Sequence, residues 1–256
     1  MFTFEAISSF LTLTFLEIVL GIDNIIFISL LAERFPKEQR KKLMQTGLFL
    51  AMFVRILLLF CISWLIRMQK PFFEYHTDFF STEISLQVAI LFLGGVFLLY
   101  KSTKEIFHKT EALEESNSKA KSNSNSFVNA LLQILLIDVV FSFDSILTAV
   151  GMTNGLDNAL WIMISAIVVS IIIMIGFATP VSNYIHKHIS LQILGLSFLM
   201  LIAFLLISEA AHLSETTILG QTIGRIPKGY LYFAILFSLG VEMISISARK
   251  KNKAAG

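Results

Sequence analysis

Seven runs of about twenty apolar residues, separated by short polar segments, limit what this chain can fold into more than any other feature. They lie at Ser8–Ala32, Leu43–Arg67, Ile84–Phe107, Phe127–Met152, Ala159–Thr179, Ser190–Ala211 and Gly229–Ser247. A hydrocarbon core of about 30 Å takes about 20 such residues per helix. Within lipid every backbone polar group must find its partner inside the chain, which leaves helices or closed barrels. Runs of this length read as helices, so the expected fold is an all-α, polytopic membrane bundle of about seven spanning helices. Pro36, Pro71, Pro180 and Pro227 all fall outside the windows, where proline is tolerated. Charged residues make up 15% of the chain, well below the roughly 25% of a soluble domain.

The polar segments divide the chain. Lys109–Ser126 is rich in Ser, Asn, Lys and Glu and has too little apolar surface to fold alone, so it reads as a flexible linker. The expected units are a three-helix repeat over 1–108, the linker over 109–126, a second three-helix repeat over 127–213, and a terminal helix with a basic tail over 214–256. Fifteen of the 20 Lys and Arg sit at one set of helix ends and four at the other. The positive-inside rule therefore puts the N-terminus outside and the C-terminus in the cytoplasm of a multi-pass cell-membrane protein. The stretch Met1–Phe10 has no basic n-region, so the first run is expected to be retained. With three helices per half, the first and fourth helices enter the membrane in opposite directions, the plan of an inverted repeat.

That symmetry has a chemical counterpart. Glu17, Asp23 and Asn24 in the first run are echoed by Asp138, Asp144 and Ser145 in the fourth: an acid, five residues, an acid, then a small polar side chain. Charged groups in a spanning helix are costly, and their default reading is functional. On a helix Glu17 and Asn24 lie nearly on one face, with Asp23 about 120° from Glu17. Four carboxylates, an amide and a hydroxyl form a hard oxygen donor set. It suits Mn²⁺, Mg²⁺ or Ca²⁺ and is poor for Zn²⁺ or Cu⁺. Buried anions need a proton or a cation beside them, which makes proton-coupled cation exchange physically natural. Arg55, inside the second run, reads as a partner for an acid or a snorkelling cation. Glu242 in the last run has no counterpart and is divided between a supporting and a structural role. A weaker echo, Glu105-x-x-His108 against Glu209-x-x-His212, ends the third and sixth runs. Glu209 and His212 read as an ordinary solvated helix end.

The net charge of +2 and the spread of basic residues give no nucleic-acid patch. The single cysteine, Cys61, excludes an intrachain disulfide framework and a thiolate cluster within one chain. The chain contains no phosphate-binding Gly-x-x-x-x-Gly-Lys-Ser/Thr loop. Two rival readings are an intramembrane aspartyl protease, with Asp23 and Asp144 activating water, and a membrane scaffold for a stress-response or secretion complex. The protease leaves Glu17 and Asp138 without a task, so a transporter rather than an enzyme is expected.

At these residues the chain resembles the TerC family of integral membrane proteins, named for tellurium resistance. The matching stretches are FLEIVLGIDNIIFISLLAERFP at Phe15–Pro36 with the Gln39-Arg40 pair after it, and GGVFLLYKSTKE at Gly94–Glu105. They continue with DVVFSFDSILTAVG at Asp138–Gly151, GLSFLMLIAF at Gly195–Phe204 and IPKGYLYFAILFSLGVEM at Ile226–Met243. Only the end after Glu242 departs, where family members often carry Asn and this chain has Met243-Ile244-Ser245. The resemblance implies a seven-helix inverted-repeat protein exporting Mn²⁺, with Ca²⁺ and Mg²⁺ as lesser candidates and no organic cofactor. It implies metal-binding acids at Glu17, Asp23, Asp138 and Asp144, with Asn24 and Ser145 beside them. Besides the cation and membrane lipid, the partners it suggests are the secretion machinery or exported metalloproteins.

Overall fold

The computed structural model describes residues 4–33, 35–77, 80–114, 126–153, 155–156 and 158–255. In chain order the elements are α1 (Phe4–Ala32), α2 (Lys37–Phe60), α3 (Ile62–Arg67), β1 (Pro71–His76), β2 (Phe80–Ser85), α4 (Leu86–Glu114), α5 (Phe127–Thr153), α6 (Ala159–Lys187), α7 (Ile189–Leu213), β3 (Thr217–Ile218), β4 (Gln221–Thr222) and α8 (Lys228–Ala255). Among the described residues, seven of these helices (α1, α2 and α4–α8) are long and apolar enough to cross a membrane. The protein is a polytopic helical membrane bundle. Its outer surface fits that solvent: Phe15, Leu57, Leu93, Leu132, Ile172, Phe177 and Leu236 all point outward from the packed core.

Four features differ from the windows. The second run does not continue to Arg67: α2 stops at Phe60, Cys61 forms a turn, and a six-residue α3 follows. The fifth run does not stop before Pro180, which lies inside α6. Proline removes one helix hydrogen bond and crowds the carbonyl four residues earlier. Here that carbonyl belongs to Gly176, and the helix continues past Pro180 to Lys187. The bundle also carries a small extramembrane sheet, ordered β1-β2-β3-β4 and antiparallel throughout. Its two hairpins come from the loop before α4 and the loop after α7. They are joined by Glu83 N donating to Ser214 O at 2.8 Å and by the Ser81–Thr217 hydroxyl pair at 2.5 Å. Trp64, Trp161 and Tyr230 lie exposed near this sheet end, in α3 and in the first turns of α6 and α8, where aromatic side chains suit a membrane interface. At the opposite end α4 runs on to Glu114, into the segment expected to be linker.

The helices pack in corresponding pairs. Helix α1 lies on α6 as α5 lies on α2, α1 meets α7 as α5 meets α4, and α1–α2 contact is matched by α5–α6 contact. Helices α4 and α7 form the most extensive pair and run antiparallel. Gly95 opposes Ile207 in their sheet-side halves, and Lys109 reaches Gln192 at the end remote from the sheet. A Cβ on Gly95 would come within 2.8 Å of Ile207 Cγ1 and 3.0 Å of the Ala203 carbonyl, so this crossing requires glycine. Gly21, inside the first acidic motif, plays a steric role too. Helix α1 runs through it without unwinding, and the space a Cβ would take holds the Met174 thioether of α6.

Candidate metal centre

Halfway along the bundle the apolar packing is interrupted by one polar cluster. Glu17 stands 13 residues from the start of α1 and Asp138 11 residues from the start of α5, so each is about 15–20 Å from its helix end at 1.5 Å per residue. Both are 3% exposed, and Arg55 of α2, between them, is 2% exposed. The guanidinium forks: Nη1 donates to Glu17 Oε2, while Nη2 donates to Asp138 Oδ1 at 2.7 Å and Nε to Oδ1 and Oδ2 at 3.1 and 3.3 Å. The planar, always-charged head of arginine suits such two-sided carboxylate recognition. Two further donors among the described residues reach Asp138. Asn24 Nδ2 reaches Oδ1 at 3.1 Å, and Ser142 Oγ, one helical turn on, lies 3.4 Å from Oδ2.

The helical spacing explains this convergence. Glu17 and Asn24, seven residues apart, share the inner face of α1, and both reach Asp138 of α5, Glu17 through the Arg55 fork and Asn24 directly. The site therefore joins the two acidic motifs, with α2 supplying the cation. Ser142 was not singled out from the sequence. Its signal is its place four residues after Asp138, on the same helix face. Ser145 is buried, and its hydroxyl donates to the Ser142 carbonyl at 3.4 Å. The side chains of Asp23 and Asp144 lie outside the described residues. Glu242 lies on α8 with Oε1 buried and without a hydrogen-bond partner among the described residues, and no hydrogen bond described there ties it to the cluster.

A cavity of about 80 Å³ opens from the cluster toward the sheet end. Arg55 and Ser145 line its deep part, and Glu209, Ile226 and Tyr232 lie on its wall nearer the sheet. In the other direction Lys109 Nζ joins Glu33 Oε2 and Gln192 Oε1, each at 2.6 Å, tying the ends of α1, α4 and α7 together. Arg40 closes the end of α1 by donating to the carbonyls of Glu33 and Phe35.

Chemically the cluster is a hard-oxygen cage with a cation already in it. With both acids ionised, Glu17, Asp138 and Arg55 carry a net charge of −1. Among the described residues no three His, Cys, Asp or Glu side chains are arranged to hold a metal; at this site they supply two carboxylates, Glu17 and Asp138, with the Arg55 guanidinium between them. A divalent cation in its place would leave the pair neutral. Carboxylate, amide and hydroxyl oxygens are the ligands such ions prefer.

The model of the integral membrane protein TerC family matches residues 2–255. The chain belongs to the TerC family. Relatives include the UPF0053 inner membrane protein YgdQ of Escherichia coli, 42% identical over 241 residues, covering 94% of this chain and 92% of that protein. A UPF0053 protein of Haemophilus influenzae is 42% identical over 249 residues, covering 97% of each chain. The longer UPF0053 protein YegH of Escherichia coli is 38% identical over 235 residues, covering 92% of this chain but 41% of that protein. No solved structure matches this TerC-family chain.

Proposed function

We propose that this TerC-family protein is a divalent-cation transporter that exports Mn²⁺ from the cytoplasm, with Ca²⁺ and Mg²⁺ as poorer substrates. The observation that carries the proposal is the buried Glu17–Arg55–Asp138 cluster with Asn24, halfway through the bundle at the deep end of a cavity. Burying two carboxylates and a guanidinium in a membrane gives no clear gain in stability, because desolvation opposes the attraction. A substrate site accounts for it.

In this mechanism Arg55 is the resting cation. It offsets one of the two carboxylate charges of Glu17 and Asp138 while the site is empty. An incoming Mn²⁺ takes the carboxylate oxygens of Glu17 and Asp138, with Asn24 and Ser145 beside them, and the guanidinium withdraws. The acids Asp23 and Asp144 complete the ligand set in this reading. The corresponding packing pairs of the two halves support alternating access, since exchanging α1, α2 and α4 for α5, α6 and α7 turns one set of contacts into the other. Protons returning through the same acids supply the drive. The protein lies in the cell membrane with its N-terminus and sheet outside and its C-terminus in the cytoplasm. Exported metalloproteins or the secretion machinery receive the metal, and no catalytic step on a substrate is involved.

The test is Mn²⁺ flux into proteoliposomes, with Ca²⁺ and Mg²⁺ compared, for wild type, Glu17→Gln and Asp138→Asn. Selective Mn²⁺ movement that both substitutions abolish supports the reading. Absence of any divalent flux in the wild type under an imposed proton gradient overturns it.

A further inference from the structure

The sequence echo at the ends of the third and sixth runs has a structural meaning that the central site does not absorb. Glu105 and Glu209 sit on α4 and α7, the antiparallel pair, so they face opposite ends of the bundle. Each lines a cavity beside a basic residue. Glu209 lines the 80 Å³ cavity that reaches Arg55 and Ser145, and Arg225 Nε donates to its Oε2 at 3.0 Å. Glu105 lines a smaller cavity of about 20 Å³, with Lys101, Ser102 and the Leu30–Leu31 turn of α1. The Ser102 hydroxyl in that cavity is 1% exposed and has no hydrogen-bond partner among the described residues, so a polar group waits there for a ligand.

The volumes give the two cavities different tasks in this state. At about 30 Å³ per water, the share each takes in the liquid, the larger holds about three waters. That is room for a cation with part of its hydration shell. The smaller, just above the roughly 10–15 Å³ that admits one water, holds one, and Lys109 locks the helix ends beyond it to Glu33 and Gln192. The walls of the larger cavity are otherwise leucine, isoleucine, phenylalanine and tyrosine. A cation shedding water against such walls needs a compensating charge along the way, and multi-site paths provide it with carboxylates.

We infer that Glu209 and Glu105 are matched way-station carboxylates, one on each side of the central site of a single cation path, with Arg225 and Lys101 as their displaceable counter-charges. This rests on the transporter reading above. In the state described, the sheet-end station connects with the centre and the other is shut.

Side-resolved flux tests it, using oriented vesicles in which Mn²⁺ is varied on one face at a time. Glu209→Gln is expected to raise the half-saturating Mn²⁺ concentration about tenfold from the sheet-end face and to leave the opposite face unchanged. Glu105→Gln is expected to do the reverse. In neither variant should equilibrium Mn²⁺ binding to the detergent-solubilised protein at the central site weaken. The double variant Glu209→Gln/Arg225→Gln separates a lost ligand from a stray charge: the defect persists if the carboxylate is the station. Recovery in that double variant, equal changes from both faces, or wild-type kinetics from both faces would each overturn the inference while leaving the transporter reading intact. Wild-type protein that moves no Mn²⁺ from either face overturns both.

Discussion

Replacing Arg55 by Gln removes the cation that holds the two acidic motifs together, and the outcome distinguishes a placeholder from a strut. Among the described residues four hydrogen bonds are lost, three to Asp138 and one to Glu17, all between buried charged groups. Removing one partner of a buried ion pair costs about 3–5 kcal/mol, so metal-free Arg55→Gln should be less stable by that amount in a thermal or denaturant titration in detergent. Mn²⁺ should then restore it. In the wild type the metal must displace a guanidinium whose charge-assisted bonds are worth about 1.5–3 kcal/mol each, whereas in the variant it meets no competitor. Giving back even 1.4 kcal/mol of that competition corresponds to tenfold tighter binding, so apparent Mn²⁺ affinity should rise at least about tenfold. Saturating metal, at about 100 times the dissociation constant, should contribute about 2.7 kcal/mol of stability. Isothermal titration calorimetry and metal-dependent unfolding read the two quantities. A variant that binds Mn²⁺ no better than Asp138→Asn, or that metal fails to stabilise, would refute the placeholder role.

Other consequences are narrower. Asp138→Asn keeps the shape but removes the charge that receives three hydrogen bonds from Arg55, and it should abolish Mn²⁺ flux in proteoliposomes while the helical circular-dichroism signal persists. Gly95→Ala puts a methyl group against Ile207 and the Ala203 carbonyl; overpacking of this kind costs about 1–3 kcal/mol, seen as a lower unfolding midpoint. Lys109→Met should change stability by less than about 1 kcal/mol, because its pair with Glu33 is partly solvated. It should, however, speed maleimide labelling of Ser102→Cys, measured with Cys61 replaced by Ser, by loosening the closed end.

Much of this architecture can be read from the residues alone. Length and hydropathy locate the spanning helices because lipid demands about twenty apolar residues whatever their neighbours are. Glu17 and Asp138 stand out because a charge in such a run is expensive. Arg55 reads as a partner for an acid from the same logic, although its simultaneous reach to both motifs depends on how α1, α2 and α5 pack. Pattern also fails where tertiary packing decides. Pro180 looks like a terminator, yet α6 runs through it to Lys187. The aromatic residues of Pro71–His76 carry strand propensity, but the pairing of β2 with β3 joins segments 136 residues apart. Glu209 reads as a solvated helix end because nothing local shows that α8 and Arg225 enclose it beside the central cavity.

The most direct test of the central claim is a crystal structure grown with Mn²⁺, with anomalous differences recorded for the metal. A transporter of the kind proposed shows a peak between Glu17 and Asp138, within ligand distance of their oxygens, and Arg55 displaced from at least one of them. Arg55 still bridging both carboxylates at saturating Mn²⁺, with no anomalous peak in the middle of the bundle, would contradict it.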